Sequence, residues 1–223
     1  MEHSNGFPFW KRALDLSCIV LSLPFWLPLM ALIALAIKVA SPGPVFFRQE
    51  RIGFRGGRFI CLKFRSMRVN VETAVHENYL KQLMQSERPM TKLDAAGDHR
   101  LIPWGRVLRA AGLDELPQIF NVLRGEMSLA GPRPCTIGEF KCYQDWQKKR
   151  FEAPPGLTGY WQVNGKNRTT FREMIDMDIW YAEHMSLLLD VEIMLKTPWA
   201  ILWQVIGHRT SAESSKTADE PFI

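Results

Sequence analysis

Residues 21–37 read LSLPFWLPLMALIALAI, apolar enough for lipid yet interrupted by Pro24 and Pro28. The uncharged run extends from Leu16 to Ile37, 22 residues. At about 1.5 Å rise per residue, a straight helix of that length matches a hydrocarbon core about 30 Å thick. The flanks argue against a simple span: Lys11 and Arg12 precede the run, and Lys38, Arg48 and Arg51 follow it. Neither end is the charge-poor side that the positive-inside bias expects. Each proline removes a backbone donor and crowds the carbonyl four residues earlier, so two prolines one turn apart bend a helix to one side. A kinked full span and a helix that enters and returns both remain open from these residues, with a buried helix of a water-soluble domain as the third path. The freed carbonyls need donors at membrane depth, and Ser22 or Ser17 offers a hydroxyl. A cleaved signal peptide fits worse, because the run is too long and no small-x-small site follows it.

The chain has 223 residues, which leaves enough outside the membrane segment for one globular domain with its own core. Its formal charge of +5 is unevenly placed: residues 1–70 hold 10 basic and 3 acidic side chains, the remainder 18 and 20. A basic excess beside the apolar run suits anionic phospholipid headgroups or a phosphorylated ligand. Helix-turn-helix, RNA-binding and zinc-finger signatures are missing, so no nucleic acid partner is expected. Cys18, Cys61, Cys135 and Cys142 form no C-x-x-C pair and read as reduced, buried thiols; the five histidines are equally dispersed. A metal in this chain is therefore expected on carboxylates and phosphates, which points to Mg2+, with Mn2+ as a substitute.

Outside the apolar run, VASPGPVFFRQERIGFRGGRFICLKFRSM reads as a basic hairpin, with a strand in RFICLKF after the Gly56-Gly57 turn. Residues 70–97 are polar and compatible with helix. Residues 101–127 suggest helices around a break at Gly112, residues 131–168 a long Gly- and Pro-rich loop, and residues 171–206 a return to helix. Trp199 and Trp203 in the last helix suit the membrane interface; the alternative is a core helix that buries them. The expected fold is α+β and predominantly helical, divided into a membrane segment (1–40), a catalytic domain (41–209) with a small β-hairpin and interfacial amphipathic helices, and a disordered tail (210–223).

Charged and polar residues concentrate in AGLDELPQIFNVLRGEMSLAGPRP. Asp114 and Glu115, between Gly112 and Pro117, read either as carboxylates compensating a helix N-terminus or as a nucleophile with a metal-binding or acid-base partner. A carboxylate attacks a phosphoryl group only if cations or a metal neutralise the phosphate charge. Lys63, Arg65, Arg106, Arg109, Arg124 and Arg133 are available for that clamp. The stretch PPGLTGYWQVNGKNRT is either a surface loop or a pocket for a nucleotide or sugar.

Taken in order, KFRSM, LDELPQIFNVLRGEMSLAGPRP, PGLTGYWQVNGKN and DIWYAEHMSLLLD resemble the bacterial sugar transferases of the monotopic phosphoglycosyl transferase family. The resemblance covers about residues 9–206 and implies the minimal catalytic core of that family. It implies transfer of a sugar 1-phosphate from a UDP-sugar to undecaprenyl phosphate at the cytoplasmic face of the bacterial inner membrane, opening exopolysaccharide, O-antigen or glycoprotein glycan assembly. The implied partners are these two substrates, membrane phospholipids and downstream glycosyltransferases, with a membrane-surface homodimer compatible. It implies a re-entrant helix bent at Pro28, where Leu27 stands in place of the serine many members carry and Ser22 with Pro24 would substitute. Asp114 would be the nucleophile and form a phosphosugar-aspartyl intermediate; Glu115 would assist, and both would face Mg2+. Lys63, Arg65, Arg109 and Arg133 would hold phosphates. Gly156, Thr158, Gln162, Asn164 and Arg168 would shape the nucleotide-sugar side, backed by Asp178 and Tyr181. A catalytically silent scaffold and a transferase working without a covalent intermediate are the competing functions.

Overall fold

The computed structural model describes residues 6–68, 82, 84, 86, 88, 89, 100–165 and 168–217, with side chains up to residue 203. Most of the helix-compatible stretch 70–97 lies outside these residues, as do Lys166 and Asn167 of the later loop.

The apolar run is one helix, α1 (Phe9–Ala40), containing both prolines. Lys11, Asp15, Ile19, Trp26, Met30, Ile33 and Ile37 are buried along it, a single stripe at helical spacing that faces the rest of the chain. The remaining apolar side chains, among them Leu21, Phe25, Leu32, Leu35 and Val39, form an exposed belt. Pro24 cannot donate to the carbonyl one turn before it. Side chains donate to carbonyls in that turn: Ser22 Oγ lies 2.6 Å from Cys18 O, and the buried Trp26 Nε1 lies 3.0 Å from Ile19 O. Both carbonyls lie just before Val20 O, the one that Pro24 leaves without its amide donor, so Ser22 is a donor near the break but does not take up the freed carbonyl expected for it. Ser41 turns extended, and Pro42 and Pro44 prevent the helix from continuing.

The two basic residues that open α1 look inward rather than toward headgroups. Lys11 is fully buried; its ammonium donates to Ala130 O at 2.8 Å and to Tyr181 Oη at 2.9 Å, and pairs with Asp190. Tyr181 in turn donates to Asp190 at 2.6 Å. Arg12 donates to the carbonyls of Val122 and Leu123, and Asp15 accepts from Ser128 Oγ and Leu129 N at 3.0 and 2.9 Å.

Strands β1 (Phe46–Ile52) and β2 (Arg58–Phe64) make the expected hairpin, in register from Phe46↔Phe64 to Ile52↔Arg58. Helices α2 (Gly105–Ala110) and α3 (Gln118–Leu123) follow, separated by Gly112 and a 3-10 turn, Leu113–Glu115. Strand β3 (Ser128–Ala130) runs parallel to β5 (Gly156–Thr158), and β4 (Cys135–Thr136) joins β1 on the side away from β2. The β3–β5 contact is so close that a Cβ on Gly156 would sit 2.1 Å from Gly131 N, and one on Gly159 2.2 Å from Gly131 O, which requires glycine at these places in AGP and PGLTG. Short helices α4 (Ile137–Lys141) and α5 (Tyr160–Asn164) and a 3-10 segment, Asp145–Glu152, fill the region read as one loop.

Helix α6 (Phe171–His184) begins at a reciprocal Thr170–Glu173 capping box, and α7 runs Leu187–Thr217. The backbone of α7 is thus helical to Thr217, where a disordered tail was expected from residue 210; a helix already formed upstream extends at low cost through polar residues. Trp199 and Trp203 are 65% and 71% exposed, which removes the reading of α7 as a core helix that buries them. All four cysteines are free, but Cys142, just past the end of α4, is exposed and Cys18, on α1, only half-buried, so neither lies in the core.

Replacing Lys11 with methionine leaves the Asp190 carboxylate buried and unpaired, which should lower stability by about 3 kcal/mol. The double variant Lys11→Met/Asp190→Leu should recover most of that loss. Denaturant unfolding in detergent measures both; a Lys11→Met protein as stable as the parent would show that the pair does not fasten α1.

Candidate active site

The hairpin and the turn before α3 bring the predicted residues together. In an antiparallel pair, opposed residues project from the same face, so Lys63 and Cys61 on β2 share a face with Arg51 on β1. That face looks at the 3-10 turn. Lys63 Nζ lies 2.6 Å from Glu115 Oε1, and Asp114 precedes Glu115 on the turn, half-buried. The N-cap positions around the pair are Gly112 and Pro117, so neither carboxylate is itself a cap, while both stand in the first turn of the 3-10 segment, where they also compensate its N-terminus.

A cleft at this point is lined by Arg51, Cys61, Lys63, Glu115, Gln118, Arg133, Pro134, Gly156, Leu157 and Gln162. Of the residues proposed from sequence, Lys63, Glu115, Arg133, Gly156 and Gln162 therefore meet on one wall. Gln162 carries a buried Oε1 without a hydrogen-bond partner among the described residues, an acceptor left over at the cleft. Arg109 sits on α2, one helix before the turn.

Other predicted residues lie elsewhere. Arg65 donates at 2.7 Å to the carbonyls of Ser41 and Pro42, fixing the corner that leaves α1. The Arg65 amide still donates to Val45 O at 2.9 Å, one rung past β2, but its guanidinium is engaged at that corner and does not line the cleft. Thr158 Oγ1 meets Thr197 Oγ1 of α7 at 2.8 Å, and Asn164 is exposed and donates to Tyr160 O. Arg168 is exposed and not on the cleft wall. Asp178 is buried against Arg150 at 2.5 Å, and Tyr181 is buried in the Lys11 network. Both buried residues brace the structure behind the cleft.

The cleft wall is backed by a buried cluster of arginines. Arg133 Nη2 lies 2.6 Å from Glu139 Oε1, Arg51 Nη1 lies 4.0 Å from the same carboxylate, and Arg150 donates to Arg133 O at 2.8 Å and to Tyr143 Oη at 2.6 Å. Burial by itself would raise the Glu139 carboxyl, but Arg133 and Arg51 outweigh it and hold it below its usual range. Burial, reinforced by the charge of Arg133, lowers Arg51. Guanidinium charge is thus crowded beside the cleft, an arrangement that an arriving anion relieves. The thiol of Cys61 is pushed up by burial and that of Cys135 up to about 11, so neither is a thiolate nucleophile at neutral pH.

Sequence reading missed Arg51, Gln118 and Asn121. Asn121 is fully buried in α3; its amide donates to Ile60 O at 2.7 Å and accepts from Leu62 N at 3.0 Å, completing the outer edge of β2 next to Lys63. It ties the strand bearing Lys63 to the helix that follows the Asp114–Glu115 turn. A polar residue amid the apolar positions of IFNVL is the signal that marks it. The alternation Gln49, Arg51 against Cys61, Lys63 marks Arg51 once the hairpin register is known.

This cleft, with its paired carboxylates and surrounding cations, has the ingredients of a phosphoryl-handling site, and the chain belongs to the bacterial sugar transferase family, whose model matches residues 7–204. It is 36% identical over 187 residues to the exopolysaccharide production protein ExoY of Sinorhizobium fredii, covering 84% of this chain and 83% of that one. It is 38% identical over 216 residues to a UDP-glucose:undecaprenyl-phosphate glucose-1-phosphate transferase of Xanthomonas campestris pv. campestris, and 37% identical over 201 residues to an undecaprenyl-phosphate galactose phosphotransferase of Salmonella typhimurium. The matches cover 93% and 87% of this chain but only 42% and 40% of those two longer proteins.

Proposed function

We propose that this chain transfers a sugar 1-phosphate from a UDP-sugar to undecaprenyl phosphate, with release of UMP. The observation that carries the reading is the meeting of Lys63, Glu115 and Arg133 in one cleft beside Asp114, in a member of a family whose relatives are named for this transfer. Arg133 and Lys63, with Arg51 behind them, hold the diphosphate. An oxygen of Asp114 attacks the β-phosphorus; that P–O bond forms as the bond to the bridging oxygen breaks, and UMP departs with the electron pair. A phosphate oxygen of the lipid then attacks the same phosphorus and releases the Asp114 carboxylate. Glu115 stands beside the nucleophile with Lys63 2.6 Å from its Oε1.

Mg2+ fits the donor set. Among the described residues no group of three His, Cys, Asp or Glu gathers in one place, and Mg2+ commonly needs only one or two carboxylates plus substrate phosphates. Asp114 and Glu115 would hold it, and it would supply neutralisation of phosphate charge. The re-entrant path is supported by both ends of α1 being fastened to the same domain, by Lys11 and Asp15 at one end and by the Arg65 corner at the other. The exposed indoles of α7 suit the cytoplasmic membrane surface.

Asp114→Asn keeps shape but cannot attack phosphorus, so UMP release from the correct UDP-sugar should fall by at least about 10³-fold, roughly 4 kcal/mol of barrier. Activity within about threefold of the parent, well under 1 kcal/mol, would eliminate the covalent route. EDTA should abolish turnover and Mg2+ or Mn2+ restore it, with Zn2+ a poor substitute; full activity in chelator would remove the metal from the reaction. An Asn5→Cys protein in sealed cells should resist an impermeant maleimide, whereas labelling from outside would establish a full span.

A further inference from the structure

We infer that the beginning of β1 seats the isoprenyl chain of the polyprenyl-phosphate acceptor, with Phe47 as its principal contact; this rests on the acceptor assigned above. Three observations converge there. A shallow groove of about 530 Å³ is lined by Pro44, Val45, Phe46, Phe47 and Arg48, with almost wholly apolar walls and Phe47 43% exposed. Strand β4 pairs with β1 at Arg51 and Ile52, so among the described residues the first residues of β1 have no strand neighbour on that side.

The second observation is register. Phe47 stands opposite Lys63, so its ring leaves the hairpin on the face where Lys63 reaches Glu115 and where Arg51 and Cys61 line the cleft. Directly opposed side chains of this kind have Cβ atoms about 5 Å apart. Phe46 projects the other way and stacks on Phe64 at 5.6 Å, and Phe59, on the same face as Phe47, is buried, so Phe47 is the exposed aromatic on the cleft side of the hairpin. An apolar surface therefore meets the ammonium of the catalytic cleft, with Arg48 a further cation on the rim.

The third is continuity. Only Ser41–Val45 separates α1 from β1, and Arg65 pins that corner through the Ser41 and Pro42 carbonyls. The exposed belt of α1, ending in Leu35 and Val39, thus leads to the groove. An acceptor with a long hydrocarbon chain and an anionic head needs such a path: apolar contact from the membrane segment onward, and cations where the phosphate must react. A water-soluble nucleotide sugar has no use for the apolar end.

The test is steady-state kinetics of the full chain with a UDP-sugar that it turns over. Phe47→Ala should raise KM for undecaprenyl phosphate about tenfold, equivalent to 1.4 kcal/mol, while KM for the UDP-sugar stays within twofold. Phe47→Leu should restore most of the affinity, and the alanine penalty should shrink for dimethylallyl phosphate, which has one isoprene unit; a purely structural residue would affect both acceptors alike. An unchanged KM for undecaprenyl phosphate, an equal penalty for both acceptors, or a selective rise in KM for the UDP-sugar would overturn the assignment, the last indicating a base or sugar on the ring. Failure of the parent protein to transfer to any polyprenyl phosphate would instead sink the proposed function.

Discussion

The structure depends on a buried cation at the start of an apolar helix. An α1 that carried only aliphatic side chains would gain as much from lipid as from protein and would have no reason to hold one orientation on the domain. Lys11 supplies that reason. Its ammonium, fully buried, finds Asp190, Tyr181 and Ala130 O in one place, and a buried charge tolerates little displacement from its partners. Arg12 and Asp15 extend the attachment to the carbonyls ending α3 and to the backbone of β3. The apolar helix is thereby connected to the two elements that flank the carboxylate turn and the GPRP arginine.

Those elements organise charge rather than merely collect it. Cleft and backing together bring Lys63, Arg51, Arg133 and Arg150 against Glu115, Glu139 and Asp178. Glu139 sits behind the wall and orients Arg133, while its own oxygens are occupied by the Thr136 backbone and the guanidinium. Held so, Arg133 has little rotamer freedom left to lose when a phosphate arrives, and the same holds for Lys63 through Glu115. Preorganised cations of this kind act on developing charge without reorganising during the reaction.

Much of this was legible in the sequence where a local rule sufficed. Alternation in RFICLKF gave a strand, Gly112 and Pro117 bracketed the carboxylate turn, and the apolar run from Leu16 to Ile37 marked one long helix. The motif residues Lys63, Glu115, Arg133, Gly156 and Gln162 do share a wall. What local reading could not supply is direction across long separations. Arg65 is two residues from Lys63 and looks equivalent in KFRSM, but its guanidinium is drawn to the Ser41 and Pro42 carbonyls where α1 ends. Arg51 looks like one more surface cation until its register against β2 is known. Asp178 and Tyr181 find their partners only in tertiary structure, where they brace Arg150 and Lys11 behind the cleft.

The hairpin shows why these directional facts matter for the chemistry. A two-stranded ribbon has two faces, and here Phe64 on one side joins the core shared with α1, while Lys63 on the other meets the carboxylate turn. A one-residue slip in register would exchange the faces, burying an ammonium beside Ile33 and sending an aromatic ring toward Glu115. Asn121 opposes that slip by pairing with the free edge at Ile60 and Leu62, a contact with one correct alignment. The same residue that completes the strand thus holds the cation at its distance from the carboxylates, so that register, a property of the backbone, fixes the electrostatics of the cleft.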